Sequence, residues 1–514
     1  MILKKQIVAF LIGLYIFAAL FNLGRMYFQH EEPRRAIIAL EMNYTHNYIV
    51  PHVLGRDYFK KPPLHNIVIA IFFKIFGENE FAARLVSTLS MFGIAFLIYL
   101  VSKEIIGFEA SVFAAFSFAL SGIAYFQYGR LAETDMFFSF LLFASMVCVF
   151  KDRIILGSFF TALALLTKGF PAIHYFYLTL FFYLVINKQI KRVFSKEVFI
   201  GGFLIVFLFV GWLMLVSKGD IHRFNYALGF LIHASGNRVL SIVNIGKAII
   251  HLFKFPISFF IHFLPFSLFL LFFISKTFRE DFNELLKSNA KIRDLFNFFI
   301  AAFVPNFLIY AVVPVGRVRY ALVLFAVLSF LIGIIYYQLE YDNAFNFKKL
   351  FSVLFGLAIA LSISGFVFNI SFAKSGWFIP NLLSFLVAIG GFLFTKKAFE
   401  NCCADLTVAI VLLVVSFKLL YDATYINYLY TYYTNYREKG RQAAEIILQH
   451  HPNYVMSNGG NLRFFFYLER DLGMQIHPIR SNKNGIVVSK SDNILKKVFA
   501  KIELPDHIYY IGEK

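Results

Sequence analysis

The chain has 514 residues, of which 59% are hydrophobic and 15% charged, with a formal net charge of +19. Uninterrupted apolar runs recur along it, many near the roughly 20 residues that one bilayer crossing takes, and they exclude a soluble globular fold, a disordered chain and a fibrous one. The positive excess calls for no nucleic-acid partner, because the cytoplasmic loops of a membrane protein normally carry it.

Met1-Ile2-Leu3-Lys4-Lys5 precedes an apolar run from Gln6 to Gly24. That run is long for a signal-peptide core and has no small-residue cleavage site, so it reads as an uncleaved first transmembrane helix. Further spans are expected at 81–101, 108–126, 136–150, 154–167, 170–187, 198–216, 251–274, 295–314, 319–337, 350–370, 378–395 and 404–420, giving a polytopic α-helical membrane domain over 1–420 with about 13 transmembrane helices. With the N-terminus inside, short inner connections hold Lys103, Lys151, Arg153, Lys188, Lys191, Arg192, Lys276, Lys396 and Lys397. The rule that positive loops stay in the cytoplasm then places the C-terminus outside. The three cysteines, Cys148, Cys402 and Cys403, build neither a disulfide framework nor a zinc spacing.

Three long features fall on the outer face: 25–80, 217–250 and the tail 421–514. The tail alternates in short runs, as in Gly485-Ile486-Val487-Val488 and His507-Ile508-Tyr509-Tyr510, and 436–452 reads as an amphipathic helix ended by Pro452. A small α/β domain outside the membrane is expected there. The outer face also carries cations that topology does not explain, among them Arg34, Arg35, Lys60, Lys61, Arg84, Arg130, Lys168, Arg238, Arg317 and Arg319. Phosphate is the natural partner for such a set, since guanidinium and ammonium donors match its oxygens.

Glu31 and Glu32 stand directly after the first span, ahead of Pro33. Acids followed by proline suit the first turn of a helix and complement its dipole; a carboxylate at the membrane rim also serves as a general base towards a hydroxyl. Asp135 has the same double reading, as an N-cap ahead of the run from Met136 and as an outer-rim acid. His233 lies at a helix end, where a structural role is the ordinary one, and Lys168 interrupts an apolar stretch at the rim, where it either snorkels or acts on a ligand.

Five stretches occur in order: "EEPRRAIIALEM" (31–42), "VPHVLGRDYFKKPPL" (50–64) with "FGENEFAARL" (76–85), "GRLAETDMFF" (129–138), "LALLTKGFPAI" (163–173) and "VPVGRVRYALVLF" (313–325). Together they resemble the bacterial branch of the protein O-mannosyltransferase superfamily, which includes the aminoarabinose transferases that modify lipid A. The resemblance runs from about residue 10 to 340. It implies a GT-C fold and transfer of a sugar, with inversion, from a polyprenyl-phosphate donor to a hydroxyl or phosphate of a lipid A, glycan or protein acceptor on the outer face.

By the same resemblance, Glu31, Glu32 and Asp135 are the catalytic acids. The resemblance likewise implies that Lys61, Arg130, His233 and Arg238 hold the donor phosphate; the outer-face cations Arg34, Arg317 and Arg319 are added to that set from their position, the last two flanking a Gly316 turn where they either clamp phosphate or anchor the helix. Lys60 stands where the aminoarabinose transferases carry an acid linked to a metal ion. A charged lysine is no ordinary metal ligand, which argues against a divalent metal bound there in the same way, and no metal ligand is assigned. A transporter or flippase of a lipid-linked sugar is the alternative; it would share the cationic rim and should show repeated halves with broken helices, which are not evident.

Overall fold

The computed structural model describes residues 2–236, 245–313, 316–342, 406–422, 435–479 and 483–514, with Leu386, Ile389, Leu393 and Ile426. The expected spans 350–370 and 378–395 and the predicted phosphate ligand Arg238 lie outside the described residues.

Helices stand where most of the apolar runs were placed. They are α1 (Ile2–Leu20), α4 (Glu80–Ala119), α5 (Thr134–Phe150), α6 (Ile154–Lys168), α7 (Pro171–Ile186), α8 (Lys196–Ser217), α10 (Ile245–His262), α12 (Ala290–Val312), α13 (Leu322–Asp342) and α14 (Leu406–Tyr421). Among the described residues, four helices are long and apolar enough to cross a membrane, or up to six if each of two bent pairs is one span. The chain is a mostly helical, multi-pass membrane protein. Large apolar side chains such as Phe203, Phe207 and Ile250 face outward from α8 and α10, as a lipid-facing surface requires.

Two expected spans differ in shape. The run 251–274 is not one straight helix: Ala248–His262 and Phe266–Ile274 are bent by 118°. Pro265 sits at the break, where a ring without an N–H cannot continue the helical ladder. The run 108–126 likewise ends its helix at Ala119. Gly122–Arg130 then turns by 118° against α5, so hydropathy persists there while the helix axis does not. Residues 80–106 and 108–119 are separated at Gly107, whose φ of 79° is open to glycine without strain.

A second apolar core lies beside the bundle. It joins α2 (Glu32–Thr45), α3 (Leu64–Phe76) and the start of α4 to the C-terminal domain. That domain contains α15 (Tyr436–Leu448), α16 (Leu462–Leu472) and a five-stranded mixed sheet. The sheet is built from β3 (Val455–Ser457), β4 (His477–Pro478), β5 (Ile486–Ser489), β6 (Lys497–Glu503) and β7 (Ile508–Glu513), in the order β4-β3-β5-β7-β6. Both alternating runs read from the sequence are strands, and the amphipathic segment is a helix capped by Asn435.

Phe466 on α16 meets Phe28 edge-on at 4.8 Å and lies near Phe73 of α3. Arg437 of α15 donates to Glu80 at 2.8 Å and to the carbonyl oxygens of Gly24 and Arg25. Tyr467 hydroxyl also donates to Glu80. The tail therefore packs on the first outer segment, which holds the acids Glu31 and Glu32.

Candidate active site

The N-terminal ends of α2 and α5 and the C-terminal end of α6 meet the turn before α13. Glu31 is the residue ahead of α2, and its side chain makes no capping bond. Its carboxylate instead accepts from Arg34 and lies 3.8 Å from Arg35. Arg35 reaches on to the Tyr58 hydroxyl at 3.1 Å.

Glu32 points the other way. It is 0% exposed and accepts from Arg84 Nε at 2.8 Å and Nη2 at 2.9 Å, from the Ala132 N–H at 2.7 Å and from the Gln29 N–H at 2.6 Å. Arg84 also donates to the carbonyl oxygens of Leu23, Met26 and Tyr27. One buried ion pair thus ties the segment after α1, α2, α4 and the 129–133 turn together. The two adjacent acids divide their duties: Glu31 looks into the site, and Glu32 fixes where Glu31 stands.

Asp135 lies in the first turn of α5 and accepts from Lys168 Nζ at 2.6 Å. Lys168, the last residue of α6, also sits 5.0 Å from the ring centres of Phe138 and Tyr320. Gly169 caps α6 with φ +93° and has no atom near a built Cβ. Glu133, two residues before Asp135, accepts from Arg319 at 3.2 Å.

These groups line a cavity of about 230 Å³ walled by Glu31, Arg34, Arg35, Tyr58, Lys60, Lys61, Glu133, Thr134, Asp135, Lys168, Arg319 and Tyr320. Six cations face three carboxylates, an excess that suits an anion. Two buried guanidinium nitrogens on this wall, Arg35 Nη1 and Arg319 Nε, have no hydrogen-bond partner among the described residues. Buried donors are ordinarily paired, so orphaned ones at a cavity point to a ligand.

A larger cavity of about 740 Å³ shares Glu31, Glu133 and Arg319 and adds Gln29, His30, Tyr128, Arg130 and Arg317. A third, of about 530 Å³, shares Tyr128, Arg317 and Arg319 with His251, Lys254 and His262. Arg319 therefore stands on all three walls.

Of the residues singled out from the sequence, Glu31, Asp135, Arg34, Lys61 and Arg319 converge on the small cavity, and Arg317 opens onto the two larger ones. Arg130 lines the larger cavity but is bonded to Asp422 at 2.8 Å, a carboxylate that Lys418 also donates to. Its guanidinium is therefore already engaged, on a carboxylate that it shares with Lys418. His233 is exposed on α9 (Ile221–Gly236) and lines none of the three cavities. Glu133, Tyr58 and Tyr320 line the same cavity and were not foreseen, whereas Arg35 was read only as one of the outer-face cations. Glu133 sits inside the quoted "GRLAETDMFF" stretch, so its motif was visible while its partner, 186 residues away, was not. Among the described residues, no three His, Cys, Asp or Glu side chains converge in a group that could hold a metal ion.

Residues 60–214 match the family model described as dolichyl-phosphate-mannose-protein mannosyltransferase. The resemblance to this superfamily holds. Among curated proteins, the chain is 30% identical over 236 residues to a Proteus mirabilis protein named undecaprenyl phosphate-alpha-4-amino-4-deoxy-L-arabinose arabinosyl transferase 2. That alignment takes in 43% of this chain and 42% of the relative. A Yersinia enterocolitica arabinosyl transferase of the same description is 28% identical over 216 residues, covering 40% of this chain and 38% of its own length. The aligned stretches thus span less than half of these relatives. The fold match is longer. The crystal structure of ArnT from Cupriavidus metallidurans bound to undecaprenyl phosphate superposes with a TM-score of 0.69 at 16% identity, covering 98% of this chain and 97% of that one. The chain has the ArnT-like fold.

Proposed function

We propose that this protein is an inverting membrane glycosyltransferase that moves a sugar from a polyprenyl-phosphate carrier to a hydroxyl or phosphate of a lipid A, glycan or protein acceptor. It would work on the periplasmic face of a bacterial inner membrane, from a GT-C domain of about 13 crossings, as the roughly 20-residue periodicity of apolar runs supports. The observation that carries the reading is the small cavity. It combines six cations, three carboxylates and two orphaned guanidinium donors at the outer ends of apolar helices. A phosphate on a lipid chain fits there as few other ligands do, its tail between helices and its head at the rim. The relatives named as undecaprenyl-phosphate arabinosyl transferases support the same donor class.

In this reading the donor phosphate lies against Lys61, Arg34, Arg35 and Arg319. As the bond from the anomeric carbon to the phosphate oxygen breaks, negative charge grows on the leaving phosphate, and these fixed cations stabilise it more than they stabilise the bound donor. Glu31 faces the acceptor and takes its proton if the acceptor is a hydroxyl. If the acceptor is a phosphate, Glu31 orients it instead. Asp135 holds Lys168 beside the phosphate. One displacement at carbon inverts the anomeric centre.

The test is transfer from a synthetic polyprenyl-phosphate sugar, followed by the release of polyprenyl phosphate, which a flippase would not produce. Glu31→Gln and Asp135→Asn should each lower release. Full activity in the double variant would overturn the site assignment. Mass spectrometry of lipid A and envelope glycoproteins from a deletion strain identifies the acceptor.

A further inference from the structure

We propose that Glu133 is the counter-ion that the donor phosphate displaces from Arg319, so that the donor enters together with a proton taken up by Glu133. This rests on the reading of the small cavity as a polyprenyl-phosphate site and assigns that site a residue with a separate task.

The geometry places Glu133 for it. Its carboxylate is on the wall between the 230 Å³ and 740 Å³ cavities. Its side chain is only 5% exposed and accepts from Arg319 Nη1 at 3.2 Å, which leaves Arg319 Nε unpartnered among the described residues. An anion arriving at Arg319 therefore meets a guanidinium already shared with a buried carboxylate. Two negative groups on that guanidinium, one of them buried, repel each other, and protonating one removes the repulsion.

The groups around Glu133 make it the one to take the proton. Asp135 on α5 and Glu32 on α2 bring like charge towards it, while Arg319 and Arg35 oppose them. Tyr128 of the preceding turn is also within its field, and Lys168 is occupied by Asp135. Burial first, and then Asp135, pushes the Glu133 carboxyl up to about 7, against the pull of Arg319. Glu31, the other acid common to both cavities, is held by Arg34 and Arg35.

The linkage has a definite sign. The donor binds the protonated form of Glu133 better, so binding is strongest below about pH 7 and weakens as pH rises through that value. It levels off only above the higher pKa that Glu133 has beside a bound phosphate.

The experiment is equilibrium binding of a polyprenyl methyl phosphate to the full chain in detergent. That diester keeps a single negative charge across the range and has no sugar to transfer. Wild-type affinity should fall about tenfold between roughly pH 6.5 and 8.5, the equivalent of one pKa unit. Glu133→Gln keeps the shape but has no charge to titrate. It should bind at every pH about as tightly as wild type does at the acid end, with a flat profile. If Glu133→Gln keeps the wild-type slope, or binds weakly throughout while its melting temperature is unchanged, the inference is wrong. Failure of the wild-type chain to bind the diester at any pH would instead overturn the donor reading, and this inference with it.

Discussion

Arg84→Met removes the cation from the best-bonded ion pair in the outer layer. Arg84 is 2% exposed and Glu32 0%. Five hydrogen bonds leave the guanidinium, two to Glu32 and three to the carbonyl oxygens of Leu23, Met26 and Tyr27. After the substitution Glu32 keeps only the N–H groups of Gln29 and Ala132. Breaking a buried pair by removing one partner costs about 3–5 kcal/mol, chiefly because the remaining charge is left uncompensated. Replacing both partners by apolar groups of similar size is far milder, so the double variant Arg84→Met, Glu32→Leu should recover much of the loss. A double-mutant cycle of thermal unfolding in detergent measures the coupling, and transfer assays on the same four proteins measure the effect on Glu31 next door. We expect a coupling well above 1 kcal/mol, since residues sharing one network are non-additive by about 0.5–3 kcal/mol. Additive single variants, or an Arg84→Met protein as stable as wild type, would refute the view that this pair holds the site together.

Lys168→Met should lower the transfer rate by about 10²-fold or more, as loss of one preorganised electrostatic group does, whereas Lys168→Arg should keep most of it; the steady-state rate with saturating donor decides. Glu41 accepts from Gln475 at 2.6 Å, and burial pushes its carboxyl up to about 7, while Glu469 beside it is raised by burial and by Glu41. Both carboxyls bind protons in the folded state that the unfolded chain releases from about pH 4.5 upward, so docking of the tail should weaken as pH rises from about 4.5 to 7. Limited proteolysis of the tail at pH 5 and pH 8 reads this, and Glu41→Gln should flatten the difference. Chelator should change the transfer rate by less than about twofold, since a bound catalytic metal would make activity strictly metal-dependent; complete loss, restored by zinc or magnesium, would show a metal that Lys60 argues against.

The described helices were largely legible in the sequence because each depends on local pattern, as were the charged residues Glu31, Asp135, Lys61 and Arg319 that the structure brings to one cavity. Apolar runs mark α8 and α12 by themselves, and the acids and cations of the rim announce themselves by standing where lipid-facing residues should be. Pairings were not legible. Arg130 and Asp422 are 292 residues apart, and Arg319 and Glu133 are 186 apart, so only packing decides that the first cation shares a carboxylate with Lys418 while the second stands on three cavity walls. Hydropathy also could not see the bend at Pro265 or the break after Ala119, because apolar composition is the same on both sides of a turn. Glu31 and Glu32, indistinguishable as neighbours in sequence, separate only because Arg84 captures one of them.

The outer layer is finished late. α2 and α3 leave the ribosome early, yet the residues that cover them, Arg437, Phe466, Tyr467 and Gln475, follow several hundred positions later, with separations of 357 for Arg437–Glu80 and 434 for Gln475–Glu41. During biosynthesis the segment 25–80 must therefore wait with its apolar side open until nearly the whole chain has been made. Premature termination before the tail should leave a membrane bundle that inserts normally but whose Glu31 has lost the platform on which it stands.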